Sequence, residues 1–301
     1  MTVEVRLPAR DVLEQAGLAA GVNVEGAELV RDGSNIIYRL RGGIVARIGR
    51  SGTEATARLE VDVSAWLKRC LFPAVRLVPT LLQPTMIDGR PVTWWNFLPK
   101  HRPATTAELG LTLRNFHQLP MPDELDLAEV DPFSGLEAKI SRADILSEDD
   151  RLWLTSTLDD LRAEFQHLPV GVPPTVVHGD AWQGNVVVPD VPIGKNPVPI
   201  MLDFENVGVG HPEWDLISVA VDRTDFERIT ADEYAEFVTS YGGYDVTAWE
   251  GYRTLASIRE LRWACFALSK ANTSQRAARE AHHRLACLRG EVPRPWRWEA
   301  F

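Results

Sequence analysis

Val176-Val177-His178-Gly179-Asp180-Ala181-Trp182-Gln183-Gly184-Asn185-Val186-Val187-Val188 sets two valine runs on either side of a polar connection. Valine's branched Cβ favours the pleated, buried backbone of a strand, so 175–177 and 186–188 read as strands. Asp180 and Asn185 fall in the loop between them. Downstream, 189–199 is proline-rich with one glycine and reads as a turn. Ile200-Met201-Leu202 reads as a third strand that ends in Asp203 and continues into Phe204-Glu205. The expectation is a small β-hairpin unit that brings Asp180, Asn185 and Asp203 together at one end.

Two carboxylates and an amide have a plain chemical use. Mg²⁺ takes oxygen ligands, usually one or two carboxylates completed by phosphate oxygens and water. Asn185 and Asp203 would serve as ligands, leaving Asp180 to orient a hydroxyl and accept its proton. Phosphoryl transfer by kinases divides the labour in this way. Asn185 follows Asp180 by five positions, the interval of the kinase catalytic loop. Asp and Asn also form tight turns by bonding their own backbone. The order of all three residues, with strands on both sides, favours the chemical reading. His178 reads as a hydrogen-bonding residue of the loop.

His178-Gly179-Asp180 with Asn185, followed by Leu202-Asp203-Phe204-Glu205, resembles the aminoglycoside phosphotransferase and choline kinase superfamily. Its members are small-molecule kinases with a protein-kinase-like fold. The resemblance implies Asp180 as catalytic base, Asn185 and Asp203 as Mg²⁺ ligands, and ATP or GTP as phosphoryl donor. Glu205 stands where protein kinases have the glycine of Asp-Phe-Gly. It resembles the acidic residue of the choline-kinase-type motif and is assigned to the metal or its water shell. The implied fold is α+β and bilobal, a small β-rich N-lobe over 1–96 and a larger, mostly helical C-lobe over 97–301. The resemblance runs from about residue 30 to 288 and is specific around 180–205.

Composition sets outer bounds. The 301 residues are 45% hydrophobic, enough for a substantial core. No run of apolar residues is long enough for a membrane helix, and Met1-Thr2-Val3-Glu4-Val5-Arg6 lacks the form of a signal peptide. Cys70, Cys265 and Cys287 are scattered without metal-site or disulfide spacing, so a reducing cytoplasm is the expected compartment. The net charge of −10 opposes nucleic-acid binding and permits a cationic acceptor. The expected partners are a nucleotide and a small-molecule acceptor, with no nucleic acid and no membrane.

The first third reads as a helix over 10–20 and three strands over 27–30, 36–40 and 44–48, parted by Asp32-Gly33-Ser34-Asn35 and Arg41-Gly42-Gly43. By the resemblance the first turn, with Ser34 and Asn35 as its cofactor-binding residues, covers the nucleotide phosphates through backbone N–H groups and the Ser34 hydroxyl. It carries one glycine, fewer than a protein kinase's loop. Arg47 takes the place of the kinase third-strand lysine as the phosphate contact. A helix over 53–69 carries Glu60 as its ion-pair partner, with Glu54 as competitor. A hairpin turned at Asp88-Gly89 is expected between 77–79 and 91–96. The run 94–99 is expected as the hinge that meets the base.

Farther on, helices are expected from Thr105, from Ser147, and over 232–241, 247–270 and 274–288. The stripe Leu154, Leu158, Leu161, Phe165 and Leu168 is amphipathic. Asp215 follows Asp203 by only twelve residues, too short an interval for a peptide-binding platform, which favours a small-molecule acceptor. It is read as a helix cap or loop anchor. Asp222, Asp225, Glu227 and Glu260 are candidates for an acceptor pocket. Trp296, Trp298 and Phe301 are expected to dock on the body. The function expected is transfer of a γ-phosphoryl group to an aminoglycoside or related amino-sugar antibiotic. The rivals are a kinase of another small metabolite, such as a choline-like alcohol, and a nucleotide-binding pseudokinase.

Overall fold

The computed structural model describes residues 7–190 and 198–301. The turn expected over 189–199 therefore lies mostly outside the described residues, as does the stretch 1–6. The chain divides into two compact units. The first comprises 1–105, 119–127 and 183–207; the second comprises 106–118, 128–182 and 208–301.

The first unit opens with α1 (Ala9–Ala20), which ends on Gly21 at φ 68°, the left-handed conformation that glycine takes without a Cβ penalty. Strands β1 (Glu28–Asp32), β2 (Ile36–Leu40) and β3 (Ile44–Ile48) follow, then α2 (Glu54–Arg69), β4 (Thr85–Ile87) and β5 (Arg90–Asn96). The sheet is antiparallel in the order β1-β2-β3-β5-β4. Its register explains its two faces. Tyr38, Ala46 and Trp94 form one cross-strand row, and they pack with Val12, Leu13 and Ala16 of α1. Each fully buried large side chain in such a core contributes about 1.5–3 kcal/mol. The next row is Ile37, Arg47 and Thr93. The two-residue period of a strand turns it to the opposite face, which is how Arg47 escapes the apolar core.

The hairpin at Asp88-Gly89 is present, but its first strand is β4 rather than 77–79. A two-residue turn makes its immediate flanks the first ladder pair, here Ile87 with Arg90. Leu77 meets β5 in an isolated bridge to Trp95, and Pro79 has no N–H with which to extend it. The short β6 (His101–Pro103) closes this stretch.

The second unit begins with α3 (Thr106–His117), α4 (Leu136–Ser141) and α5 (Glu148–Phe165). Ser147 caps α5 by accepting the Asp150 N–H at 3.1 Å. Of the expected stripe, Leu154, Leu158 and Leu161 are buried, while Phe165 and Leu168 are only partly so. After β7 (Thr175–Val177) the chain enters the first unit again for β8 (Val186–Pro189) and β9 (Ile200–Met201), which form a sheet in the order β6-β8-β9. β10 (Gly208–Gly210) returns to the second unit and pairs antiparallel with β7. The valine runs therefore do not share one hairpin. β7 pairs with a Gly-Val-Gly strand whose glycines permit a close approach: a Cβ on Gly208 would lie 2.5 Å from the Ala128 carbonyl. Glycines weaken the sequence signal of a strand, so β10 was not foreseen.

Helices α6 (Glu213–Thr224), α7 (Ala231–Tyr241), α8 (Tyr252–Ala271) and α9 (Gln275–Leu288) complete the unit. The helix expected over 247–270 is split: a 3₁₀ turn occupies Val246–Ala248, and α8 starts after Gly251. Glycine's helix penalty of about 1 kcal/mol explains the break. The tail docks as expected. Trp296 and Trp298 stack at 5.3 Å, and both meet the Phe226 ring edge-on. Phe301 stacks on Phe266 at 5.8 Å. The fold is α+β, with a small antiparallel sheet and a larger helical part. Among the described residues no helix is long and apolar enough to cross a membrane.

Candidate active site

In the first unit, one cavity of about 390 Å³ gathers most of the residues singled out in the sequence. Ser34, Asn35, Arg47, Glu60, Asn185, Asp203 and Glu205 all line it. The volume falls within the range of small-molecule sites. Asp180 belongs to the second unit.

Arg47 is the hub of the cavity. Its Nη1 donates to Glu60 Oε1. Its Nη2 lies 3.3 Å from Asp203 Oδ1 and 3.2 Å from Glu205 Oε2. The Asn35 amide oxygen, turned to suit its neighbours, accepts from Nε at 2.9 Å and from Nη2 at 2.6 Å. Glu54, the alternative partner, instead pairs with Arg58 one turn along α2. Burial works against the Arg47 cation, but Glu60, Asp203 and Glu205 together outweigh it and raise its pKa above the ordinary arginine value. Burial also pushes the Glu60 carboxyl up, and with Asp203 and Glu205 adding to it against Arg47, it reaches about 7.

The backbone frames these groups. Leu202 N–H donates to the Asn185 carbonyl at 2.9 Å, continuing the β8–β9 pairing and fixing Asn185 against the start of the Asp203 segment. Asp203 adopts φ 63°, a left-handed conformation uncommon for a residue with a Cβ. Arg50 ties down the first turn by donating to the Ser34 carbonyl at 3.1 Å and the Gly33 carbonyl at 2.9 Å. This anchor was not foreseen, because its partners are main-chain atoms.

Among the described residues, no three His, Cys, Asp or Glu side chains are grouped to hold a metal ion by themselves. The donors do fit a hard divalent cation that brings phosphate oxygens with it. Asp203 and Glu205 present carboxylates that are both more than a third exposed, and Asn185 lines the same cavity.

In the second unit, the loop after β7 is held mainly by its backbone. Asp215, fully buried near the start of α6, accepts the His178 N–H at 2.6 Å and the Gly179 N–H at 2.9 Å. His117 Nε2 lies 3.0 Å from the same carboxylate, and its Nδ1 is 2.9 Å from the Tyr241 hydroxyl. Burial acts to raise Asp215, yet the His117 contact and the charge and N–H of His178 hold its pKa below the usual carboxylate range. Trp214 Nε1 donates to the Gly179 carbonyl at 2.9 Å. Gly179 has φ 81°, a conformation a residue with a Cβ would take only with strain. His178 is buried, with Nδ1 3.3 Å from the Asp180 N–H. Asp215 is thus the loop anchor.

Asp180 itself pairs with a residue the sequence reading passed over. Arg259 of α8 donates from Nη1 to Asp180 Oδ1 at 3.0 Å. The available signal was a cation between Ile258 and Leu261, on a helix whose other buried positions are largely apolar. Of the four acidic residues expected for an acceptor pocket, Asp222, Asp225 and Glu260 are paired with arginines. Asp225 and Glu260 both meet Arg253 and Arg294, and Asp222 meets Arg228.

The chain is similar in structure to the amicoumacin kinase hAmiN, solved in complex with AMP-PNP, Ca²⁺ and Ami, with TM-score 0.75, 16% identity, and coverage of 97% of this chain and 96% of that one. It is also similar to the microcompartment-associated aminopropanol kinase, with TM-score 0.71, 17% identity, and coverage of 93% and 95%. Aminoglycoside phosphotransferase APH(3'')-Id from Streptomyces rimosus is a further neighbour, with TM-score 0.59, 19% identity, and coverage of 85% and 99%. These likenesses establish the kinase-like fold. No curated protein sequence matches the chain. Residues 27–255 match the phosphotransferase enzyme family.

Proposed function

The chain belongs to the phosphotransferase enzyme family, and on that premise we propose that it transfers the γ-phosphoryl group of ATP or GTP to a hydroxyl of a small acceptor, an aminoglycoside or related amino sugar. The observation that carries this reading is the Arg47 hub: one guanidinium bonded to Glu60, Asp203 and Glu205 in a cavity that Asn185 and the 33–35 turn also line. Phosphoryl transfer needs little covalent chemistry from the protein. It needs phosphate oxygens held in place and their charge neutralised.

In this reading Arg47 holds nucleotide phosphate, positioned by Glu60, and Ser34 and Asn35 cover the phosphates. Asn185, Asp203 and Glu205 hold Mg²⁺, which when bound neutralises developing charge on the phosphate oxygens. Asp180 orients the acceptor hydroxyl and takes its proton. The acidic net charge of −10 suits a cationic acceptor, since it raises the local concentration of cations. The likeness to the aminopropanol kinase supports a second acceptor class, a small amino alcohol.

The test is nucleotide turnover with Mg²⁺ and either ATP or GTP, over a panel of aminoglycosides, amino sugars and amino alcohols, with Asp180→Ala run alongside. Acceptor-dependent turnover that disappears in the variant is the expected result. Full turnover by Asp180→Ala would remove the base assignment. Nucleotide binding without transfer to any acceptor would favour a pseudokinase.

A further inference from the structure

Arg259 is 1% exposed, on a helix whose neighbouring positions Leu255, Ile258 and Leu261 are buried and apolar. A buried guanidinium is costly unless its charge is answered and its N–H groups are bonded. Arg259 meets that demand in an unusual way. The carboxylate it pairs with, Asp180, is not itself buried: its side chain is 43% exposed. Its Nη2 donates to the Trp214 carbonyl at 3.4 Å, and its guanidinium lies 4.2 Å from the centre of the Trp214 ring. Its Nε, also buried, has no hydrogen-bond partner among the described residues.

The surroundings show what the contact does. Asp215 and Trp214 hold the loop backbone at His178 and Gly179. Arg259 bonds the side chain that follows, and the same Trp214 that grips Gly179 supports its guanidinium plane. Burial lowers the Arg259 pKa and Asp180 opposes that shift, consistent with a cation kept in place by this carboxylate.

We propose that Arg259 is a positioning residue for Asp180: it fixes the direction of the carboxylate toward the acceptor hydroxyl. This rests on the reading of Asp180 as the base. Arg259 touches neither nucleotide nor acceptor in this role, so its loss acts on turnover and leaves nucleotide binding in place.

The experiment compares Arg259→Met, Arg259→Lys and Asp180→Asn in acceptor-dependent turnover, with nucleotide affinity and thermal unfolding measured on each. Expected are a fall in kcat of at least about tenfold for Arg259→Met, a nucleotide KM within about twofold of wild type, and partial recovery in Arg259→Lys, which restores charge but not the fork. With Asp180→Asn as background, adding Arg259→Met changes the residual rate little, because the two act as a unit. Wild-type kcat in a folded Arg259→Met protein, when Asp180→Asn is inactive, overturns the proposal and leaves the base assignment standing. Full turnover in Asp180→Asn sinks the base assignment and this proposal with it. If Met and Lys variants both lose nucleotide binding and unfold early, Arg259 is a fold-stabilising residue and the proposal is overturned.

Discussion

The buried carboxylate of Asp215 accepts the backbone N–H of His178 at 2.6 Å, and its other oxygen accepts that of Gly179 at 2.9 Å. A helix on the far side of Asp203 in sequence thereby fixes the two residues before Asp180. The bonds are charge-assisted and dry, so breaking them is expensive. Asp215→Asn puts an amide where a carboxylate had answered two N–H groups and His117. It is expected to cost about 3 kcal/mol of stability and to lower kcat more than nucleotide affinity. Urea unfolding and turnover on the same preparation check this. A variant as stable and as fast as wild type would show that the loop holds itself.

Stability should also carry a pH signature from the second unit. Glu260 Oε1 accepts from Arg253 Nη2 at 2.5 Å, deep beside Asp225. Burial pushes its carboxyl up, Arg253 pulls it down, and Asp225 pushes it up again, so that it titrates at about 7 against an ordinary 4.5. The folded protein therefore holds this proton more tightly than the unfolded chain does. The stability it contributes is full below the ordinary value and is lost as pH rises through about 7. The slope is at most about 1.4 kcal/mol per pH unit. Glu260→Gln is expected to flatten the curve over this window. An unchanged slope in urea titrations would assign the dependence to another group.

Much of this was legible in the sequence because its signals were local. Valine runs, glycine turns and the Asp180–Asn185 interval are read within a few residues of each other. Arg47 and Glu60 could be paired in advance because an arginine on a strand bound for a cleft requires a carboxylate. What escaped was settled by contacts distant in sequence. β7 finds β10 rather than β8, and no local rule chooses between two possible partners when one of them is Gly-Val-Gly. Arg259 reaches Asp180 across 79 positions, and only the fold reveals why a cation sits among leucines. The cap of α8 was missed because Trp249-Glu250-Gly251 interrupts a pattern that otherwise runs on.

The C-terminal tail is part of the second unit's core. Trp298 is buried, lies 4.8 Å from Phe226 and carries Arg284 over its ring at 5.0 Å. Trp298→Ala removes a large side chain from a packed cluster, for which about 3–5 kcal/mol is the usual cost. Thermal or urea unfolding should show that loss, whereas nucleotide affinity, proposed above to depend on residues of the first unit, should change little. Stability within about 0.5 kcal/mol of wild type would mean that the tail only rests on the body.

Arg47 gives the sharpest test of how charge is arranged around the cavity. It balances three carboxylates, Glu60, Asp203 and Glu205. Arg47→Met would leave those acids facing one another with no cation among them. Two consequences follow and oppose each other. On the proposed phosphate role, loss of the guanidinium should raise the nucleotide KM by at least about tenfold, the factor for 1.4 kcal/mol. On the proposed metal role, Asp203 and Glu205 would also be released from an ion pair that competes with Mg²⁺, so the dependence on Mg²⁺ should steepen and saturate at lower concentration. Arg47→Lys keeps one charge but cannot span Glu60 on one side and the acidic pair on the other, because an ammonium lacks the guanidinium's fork. Its KM should fall between those of wild type and Arg47→Met. Initial rates over a grid of nucleotide and Mg²⁺ concentrations separate the two effects. A raised KM with an unchanged Mg²⁺ profile would show that Asp203 and Glu205 do not hold the metal, while an unchanged KM would show that Arg47 does not hold phosphate.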